Sequence, residues 1–335
     1  MPGDLLKYHQ WCISDPVLMP AYRNAIRKTV RPGDIVLDLG AGTGILSLIA
    51  CEAGASRVYA VEPTEIIALI PQLAADNGFA DRVIPRKCES FDLKLPEQTD
   101  VMIASMFGSA GVGNNMLKIV VDARDRLLKP NGTIIPQSIQ PVFCPVELPE
   151  WYKARIECWD EARMGFSYRS VRAVAVNRLG SSQIDQSCLL AAPQNFHQIS
   201  LRGFASPNVE ATLGFHIERP GIAHALAGWI EITTAEGTRC SDSPLDSRRM
   251  PWDQLILPLE SPVSVQAGDR VQTTIRTSSV GKDAVLLWDV RFRSAAGAVR
   301  AEFHHSSFQG FLIARQDLVG VARDSSTTDH TDAKP

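Results

Sequence analysis

The spacing of apolar residues changes once along this chain, near residue 137. Before it, short continuous apolar runs alternate with stretches in which apolar residues recur every three or four positions. That texture predicts strands over 57–62, 82–88 and 100–104, and helices over 66–76 and 116–128. Lys129-Pro-Asn-Gly132 stops the second helix ahead of a strand over 133–135. Alternating strands and helices are the mark of a parallel sheet with crossover helices. After residue 137 come short β-rich runs at 228–234, 254–258, 270–277, 284–292 and 299–305, each bounded by turn residues. They predict an antiparallel barrel or sandwich. One segment there, 150–163, is helical in pattern, with Tyr152, Ile156 and Trp159 on one apolar stripe flanked by charges. The expected domains are therefore 1–136 and 137–322, with a helical arm at about 148–166. The polar residues 323–335 form an expected disordered tail.

The densest chemical signal is Val36-Leu-Asp-Leu-Gly-Ala-Gly-Thr-Gly-Ile45. Apolar residues around Asp38 run into Gly40, Gly42 and Gly44, and the apolar run Ile45-Leu-Ser-Leu-Ile-Ala50 follows. This is a strand, a tight turn and the start of a helix. Glycines let the backbone bend sharply and let a ligand approach where a Cβ would collide. The helix start directs unpaired N–H groups at the same place. Eighteen residues beyond Gly44, Glu62 ends the next apolar run, where a carboxylate can accept both hydroxyls of a ribose. A dinucleotide fingerprint requires G-x-G-x-x-G; here the third glycine comes one residue early and position 45 is Ile. The spacing D-x-G-x-G-x-G instead resembles the class I S-adenosylmethionine (SAM) methyltransferases, whose loop faces an amino-acid moiety.

Composition narrows the setting. A chain of 335 residues can bury two cores, and 45% hydrophobic with 21% charged residues is ordinary for a soluble protein. A net charge of −3 offers no nucleic-acid surface, and no apolar run reaches membrane-span length. The N-terminus has no signal-peptide core. Seven cysteines, odd in number and without C-x-x-C spacing, fit reduced core residues and a cytoplasmic location. No His, Cys and carboxylate cluster has metal-ligand spacing.

Over nearly its whole length the chain resembles the protein arginine methyltransferases. His9-Gln-Trp-Cys-Ile-Ser-Asp15 with Ala21-Tyr-Arg-Asn-Ala-Ile26 matches that family's helix at the SAM site. The glycine loop and Ala53-Gly-Ala-Ser-Arg-Val-Tyr-Ala-Val-Glu62 match its first two strands, and Leu128-Lys-Pro-Asn-Gly-Thr-Ile-Ile-Pro136 a later one. The stretch from Trp151 through Trp159 to Phe166 matches the arm by which the family dimerises. The resemblance implies a Rossmann-like class I methyltransferase sheet followed by an antiparallel β-barrel with an inserted dimerisation arm, and a homodimer. It implies SAM as cofactor. Asp38 and the three glycines would line its methionine end, Glu62 its ribose, Glu89 and Ser90 its adenine, and Met116 its sulfonium. His9 would lie beside it.

The departures bear on the acceptor. The family's loop has the form S-E-x-x-G-x-x-x-x-x-E-S-M, whereas this chain has Ala104-Ser-Met-Phe-Gly-Ser-Ala-Gly-Val-Gly-Asn-Asn-Met116. Ser105 and Asn114 replace both glutamates. Met250-Pro-Trp252 stands for the family's Thr-His-Trp, which leaves Asp15 without its histidine, and Leu18 aligns with the arginine that binds the SAM carboxylate. A guanidinium, with a pKa above about 12, is a poor nucleophile that two carboxylates must clamp and polarise. Without them, burying its charge costs several kcal/mol. The expected acceptor is therefore an uncharged small molecule methylated on O, N or C. Ser105, Met106, Asn114 and Trp252 would form its pocket, and His9 and Asp15 are the candidate general bases. The competing expectations are a non-catalytic SAM-binding scaffold and an enzyme that consumes SAM by intramolecular displacement.

Overall fold

The computed structural model describes residues 4–310 apart from 113–114, 236 and 281–282. Asn114 and the predicted tail 323–335 lie outside the described residues. Two helices open the chain. Helix α1 (Leu5–Ile13) begins at Asp4, whose carboxylate accepts from the N–H groups of Leu6 and Lys7. Helix α2 (Leu18–Thr29) buries Leu18, Ala21, Tyr22, Ala25 and Ile26, a stripe at helical spacing.

The α/β unit follows as β1 (Ile35–Leu39), α3 (Ile45–Glu52), β2 (Arg57–Val61), α4 (Ile70–Asp76), β3 (Val83–Arg86), β4 (Thr99–Ala104), α5 (Met116–Leu127) and β5 (Leu128–Ile135). The five strands form a parallel sheet in the order β3-β2-β1-β4-β5. The order reverses at β1, so a crevice opens beyond its carboxyl end, where such sheets bind ligands. Two boundaries differ from expectation. Pro71 stands in the first turn of α4, and a 3-10 turn over Glu65–Leu69 occupies the first part of the predicted helix. The 129–132 turn residues are absorbed into β5, with a register shift opposite Thr99 to Val101.

The second half contains β6 (Ser138–Val146), α6 (Pro149–Arg155), α7 (Arg169–Ala175), β7 (Gly180–Ser182), β8 (Gln194–Asn195) and β9 (Ile199–Ser200). It continues with β10 (Glu210–His216), β11 (Gly221–Ala235), β12 (Thr238–Ser241), β13 (Gln254–Val265), β14 (Arg270–Val280), β15 (Asp283–Arg293) and β16 (Val299–Ser306). One antiparallel sheet runs β10-β14-β15-β16, and a second is built around β7-β13-β11-β6-β8. All five predicted β-rich runs lie within β11 and β13 to β16. The predicted helix over 150–163 is shorter: α6 ends at Arg155 and a 3-10 turn spans Glu157–Trp159. Its stripe holds in part, since Tyr152 and Ile156 are buried and Trp159 is half-buried.

Burial pattern explains how the two halves join. Strand β10 alternates exposed and buried residues, as a sheet with one wet face does. Strand β11 is buried on both faces. Trp229 and Ala227 point into the core between the antiparallel sheets, while Ile230 and Ile232 join the core of the α/β unit. It is a wall common to both halves.

Candidate functional site

The glycine turn closes at the carboxyl ends of β1 and β2. Val61 carbonyl accepts from the N–H groups of both Gly40 and Ala41 at 2.9 Å, and Gly40, Gly42 and Gly44 all adopt positive φ. Glycine reaches that region without the steric penalty of a Cβ. Two of the glycines also leave room for a neighbour. A Cβ at Gly42 would lie 2.7 Å from His9 Cε1, and one at Gly40 would lie 2.9 Å from Met106 Cε. His9 and Met106 therefore border the same turn, although nearly a hundred residues separate them in sequence.

The carboxylates are held in place. Asp38 is 1% exposed, and one oxygen accepts from Ser47 Oγ at 2.6 Å on the first turns of α3. Its other oxygen, Oδ1, is buried with no partner. Burial raises its pKa from an ordinary 3.8 to about 6, against the two hydrogen bonds from Ser47 that oppose the rise. Glu62, also buried, accepts from Gly42 N–H at 3.2 Å and Thr64 N–H at 3.0 Å, which ties the tip of β2 to the glycine turn. Ser90 is buried beside the turn after β3, and its hydroxyl has no partner either. Arg126 of α5 fixes that turn by donating to the carbonyls of Ser90 and Leu93, each at 2.9 Å. Glu89, at the start of the same turn, is exposed. Met116, the first residue of α5, is 4% exposed.

These positions fit a SAM-type nucleoside. Buried polar atoms in folded proteins nearly always have a partner. Here Asp38 Oδ1 and Ser90 Oγ, one from the glycine turn and one from the predicted adenine end, lack one. A ligand with an ammonium group at one end and a purine at the other would satisfy both.

The acceptor side differs from expectation. Much of the loop after β4 is packed away: Phe107 joins the core of the α/β unit, and Ala110 and Val112 join the core between the antiparallel sheets. Phe107, Ala110 and Val112 are 1%, 1% and 2% exposed. Gly111, at φ +71°, sits so close that a Cβ would approach Ile230 Cδ1 to 2.7 Å. The small residues thus admit β6 and β11 to the loop. Beside Ser105, the Tyr22 hydroxyl donates to Ala104 carbonyl at 2.7 Å. Asp15, expected as a base, begins α2: its Oδ1 accepts from Val17 and Leu18 N–H, each at 2.8 Å. Its Oδ2 is buried with no partner. His9 lies near the Glu62 charge, but burial dominates and lowers its pKa below 6.5. Trp252 is half-buried, its ring 6.3 Å from that of Trp11. Tyr22 and Trp11 also belong to this region; in the sequence each is one aromatic within the segments His9–Asp15 and Ala21–Ile26, at helical spacing from Leu18 and Asp15. Among the described residues no cluster of three metal-ligating side chains occurs.

A parallel sheet with this glycine turn, joined to a two-sheet barrel, defines a class I methyltransferase fold with an appended barrel domain. Comparison with known proteins agrees on both halves. Residues 23–139 match the family model for ribosomal protein L11 methyltransferase, and residues 142–293 match the arginine methyltransferase oligomerization subdomain. Protein arginine N-methyltransferase 1.1 of Arabidopsis thaliana is 29% identical over 282 residues, covering 81% of this chain and 71% of its own. Protein arginine N-methyltransferase 1 of Chlamydomonas reinhardtii is 29% identical over 260 residues, 75% of each chain. In structure, the Trypanosoma brucei PRMT1 enzyme-prozyme heterotetrameric complex with AdoHcy superposes with a TM-score of 0.79 at 21% identity, covering 89% of this chain and 97% of the other. Arabidopsis thaliana protein arginine methyltransferase 10, in an open conformation, gives 0.77 at 20%, covering 90% and 97%. In sequence and in architecture the chain is thus similar to protein arginine methyltransferases.

Proposed function

We propose that the protein is a SAM-dependent methyltransferase of arginine-methyltransferase architecture whose acceptor is a small molecule and not a protein arginine. The observation that carries this is the loop 104–116, which holds no carboxylate. Its Ala110 and Val112 are buried in the core between the antiparallel sheets. Such a loop has nothing to neutralise a guanidinium or to draw charge from the attacking nitrogen. The relatives named above are arginine methyltransferases by name, so the proposal separates this chain from them on the acceptor alone.

When bound, SAM supplies an electrophilic methyl on a sulfonium. The residues here orient it: Asp38 at the amino-acid end, Glu62 at the ribose and Ser90 at the adenine. In-line transfer gains much of its acceleration from such positioning. His9, neutral at pH 7 because burial lowers its pKa, can accept a proton from an acceptor that must lose one. Calorimetry with SAM, S-adenosylhomocysteine (SAH) and NAD tests the pocket: binding of the first two and not the third is expected. Incubation with labelled SAM, a metabolite extract and arginine-rich peptides tests the acceptor. Label appearing in the peptides and in no metabolite would overturn it.

A second reading has its own observation. Leu18 supplies no cation for the SAM carboxylate, and a structural neighbour is a complex of an enzyme with a prozyme. A non-catalytic partner subunit would leave SAM unchanged, and methylthioadenosine would mark intramolecular displacement. Mass spectrometry of the products separates these outcomes. We also assign the arm to a homodimer contact. Met164, Phe166 and Tyr168 are 96%, 70% and 41% exposed, next to the half-buried Trp159. Light scattering should give twice the chain mass, and Phe166→Asp should halve it.

A further inference from the structure

Helix α1 holds three aromatic rings at the edge of the glycine turn. Its Tyr8 and Trp11 are 58% and 42% exposed, their rings 6.4 Å apart, and Trp11 meets Trp252 from the barrel domain at 6.3 Å and 39°. His9, between them on the same helix, lies against Gly42. Asp15 is 3% exposed, with Oδ2 shut from solvent and without a partner, and it acts on Cys12 of α1 and Cys240 of β12, so it lies between the helix and the barrel domain that the Trp11–Trp252 contact also bridges. The groups that act on it electrostatically include the thiols of Cys12 and Cys240, and among the described residues no lysine, arginine or histidine pairs with it. A buried carboxylate oxygen with no donor is unusual, and a cation or strong donor would complete it. Aromatic faces attract the same kind of group, and Trp11 and Trp252 meet at this helix–barrel contact. Nothing in α1 is buried, so lifting it to admit a ligand disturbs little packing.

We infer that the acceptor is an organic amine, bound as its ammonium with the charged nitrogen read by Asp15 and the body stacked on Trp11 and Trp252. This rests on the methyltransferase reading and narrows its substrate class, replacing the uncharged acceptor expected from sequence. In the transfer, the ammonium first gives one proton to His9. The freed nitrogen lone pair then forms a bond to the methyl carbon. The carbon–sulfur bond breaks with its electron pair left on sulfur, giving SAH and a methylated ammonium. Charge balances, because the positive charge moves from sulfur to nitrogen.

The test titrates the full chain with phenethylamine and with the isosteric neutral 2-phenylethanol, each with and without saturating SAH. A charged hydrogen bond to a buried carboxylate should make the amine bind about tenfold or more tightly than the alcohol. Asp15→Asn keeps an oxygen for the N–H groups of Val17 and Leu18. It should erase the preference while leaving SAH affinity unchanged. Trp11→Ala should weaken amine and alcohol alike. Equal affinity of the wild-type protein for the two probes overturns the inference, as does an amine preference that survives Asp15→Asn. If that variant fails to fold, the wild-type comparison alone decides. Failure of SAH to bind would count against the methyltransferase reading, and the titrations without SAH would still judge Asp15.

Discussion

Replacing Asp38 by asparagine should make the unliganded protein more stable and the liganded one weaker. Burial holds the Asp38 carboxyl at about 6 against an ordinary 3.8. At about 1.4 kcal/mol per pH unit, ionising it in the folded chain at pH 8 costs about 3 kcal/mol. The sign follows from a raised folded pKa. This group's contribution is fully present below pH 4, and it is lost as pH rises through about 6. Asparagine removes that cost and still offers an oxygen to Ser47. The Asp38→Asn variant should therefore melt higher than wild type at pH 8 and at nearly the same temperature at pH 4. SAH binding should move the opposite way. An ammonium paired with Asp38 Oδ1 favours the ionised form, so wild-type affinity should rise up to tenfold per pH unit below about 6 and level off above it. In Asp38→Asn the affinity should fall about 10- to 100-fold at pH 8, and the rise with pH should vanish. Differential scanning calorimetry and titration calorimetry at pH 4, 5, 6, 7 and 8 read both quantities. Loss of stability at pH 8 together with unchanged SAH affinity would refute the assignment of Asp38 as a buried ligand acceptor.

Three further outcomes follow from the packing. Asp242, 2% exposed, accepts from Ile230 N–H at 2.8 Å where β11 passes from β13 to β12, and burial raises its pKa to about 7. Asp242→Asn should flatten the decline of melting temperature between pH 5 and 8, and an unchanged slope would count against it. Gly111→Ala should cost about 1–3 kcal/mol, because the new Cβ meets Ile230 at 2.7 Å in a positive-φ residue. A melting temperature equal to wild type would show that the loop is not seated on the barrel. Tyr22→Phe leaves Ala104 carbonyl without the phenol; about 1–3 kcal/mol of stability should go, read by urea unfolding. No loss would mean that another donor serves it.

The sequence alone determined the α/β half of the fold and the cofactor turn. Those signals are local: a strand, glycines and a helix within fifteen residues produce the turn whatever surrounds it, and Glu62 follows at a fixed distance along the next strand. The later barrel strands were legible because each repeats an apolar pattern of its own. Short β7, β8 and β9 were not, since strands of two or three residues are defined by their neighbours. Only the tertiary structure decided the acceptor side. Sequence shows that the loop after β4 carries no carboxylate, but not that Gly111 and Ala110 would seat it against Ile230 and Phe143 from strands far along the chain. It likewise shows an Asp15 without a histidine, but not that its second oxygen is buried without a partner. Which atoms are left without a partner depends on every residue packed around them, and that packing is set by contacts between distant segments, which no local pattern encodes.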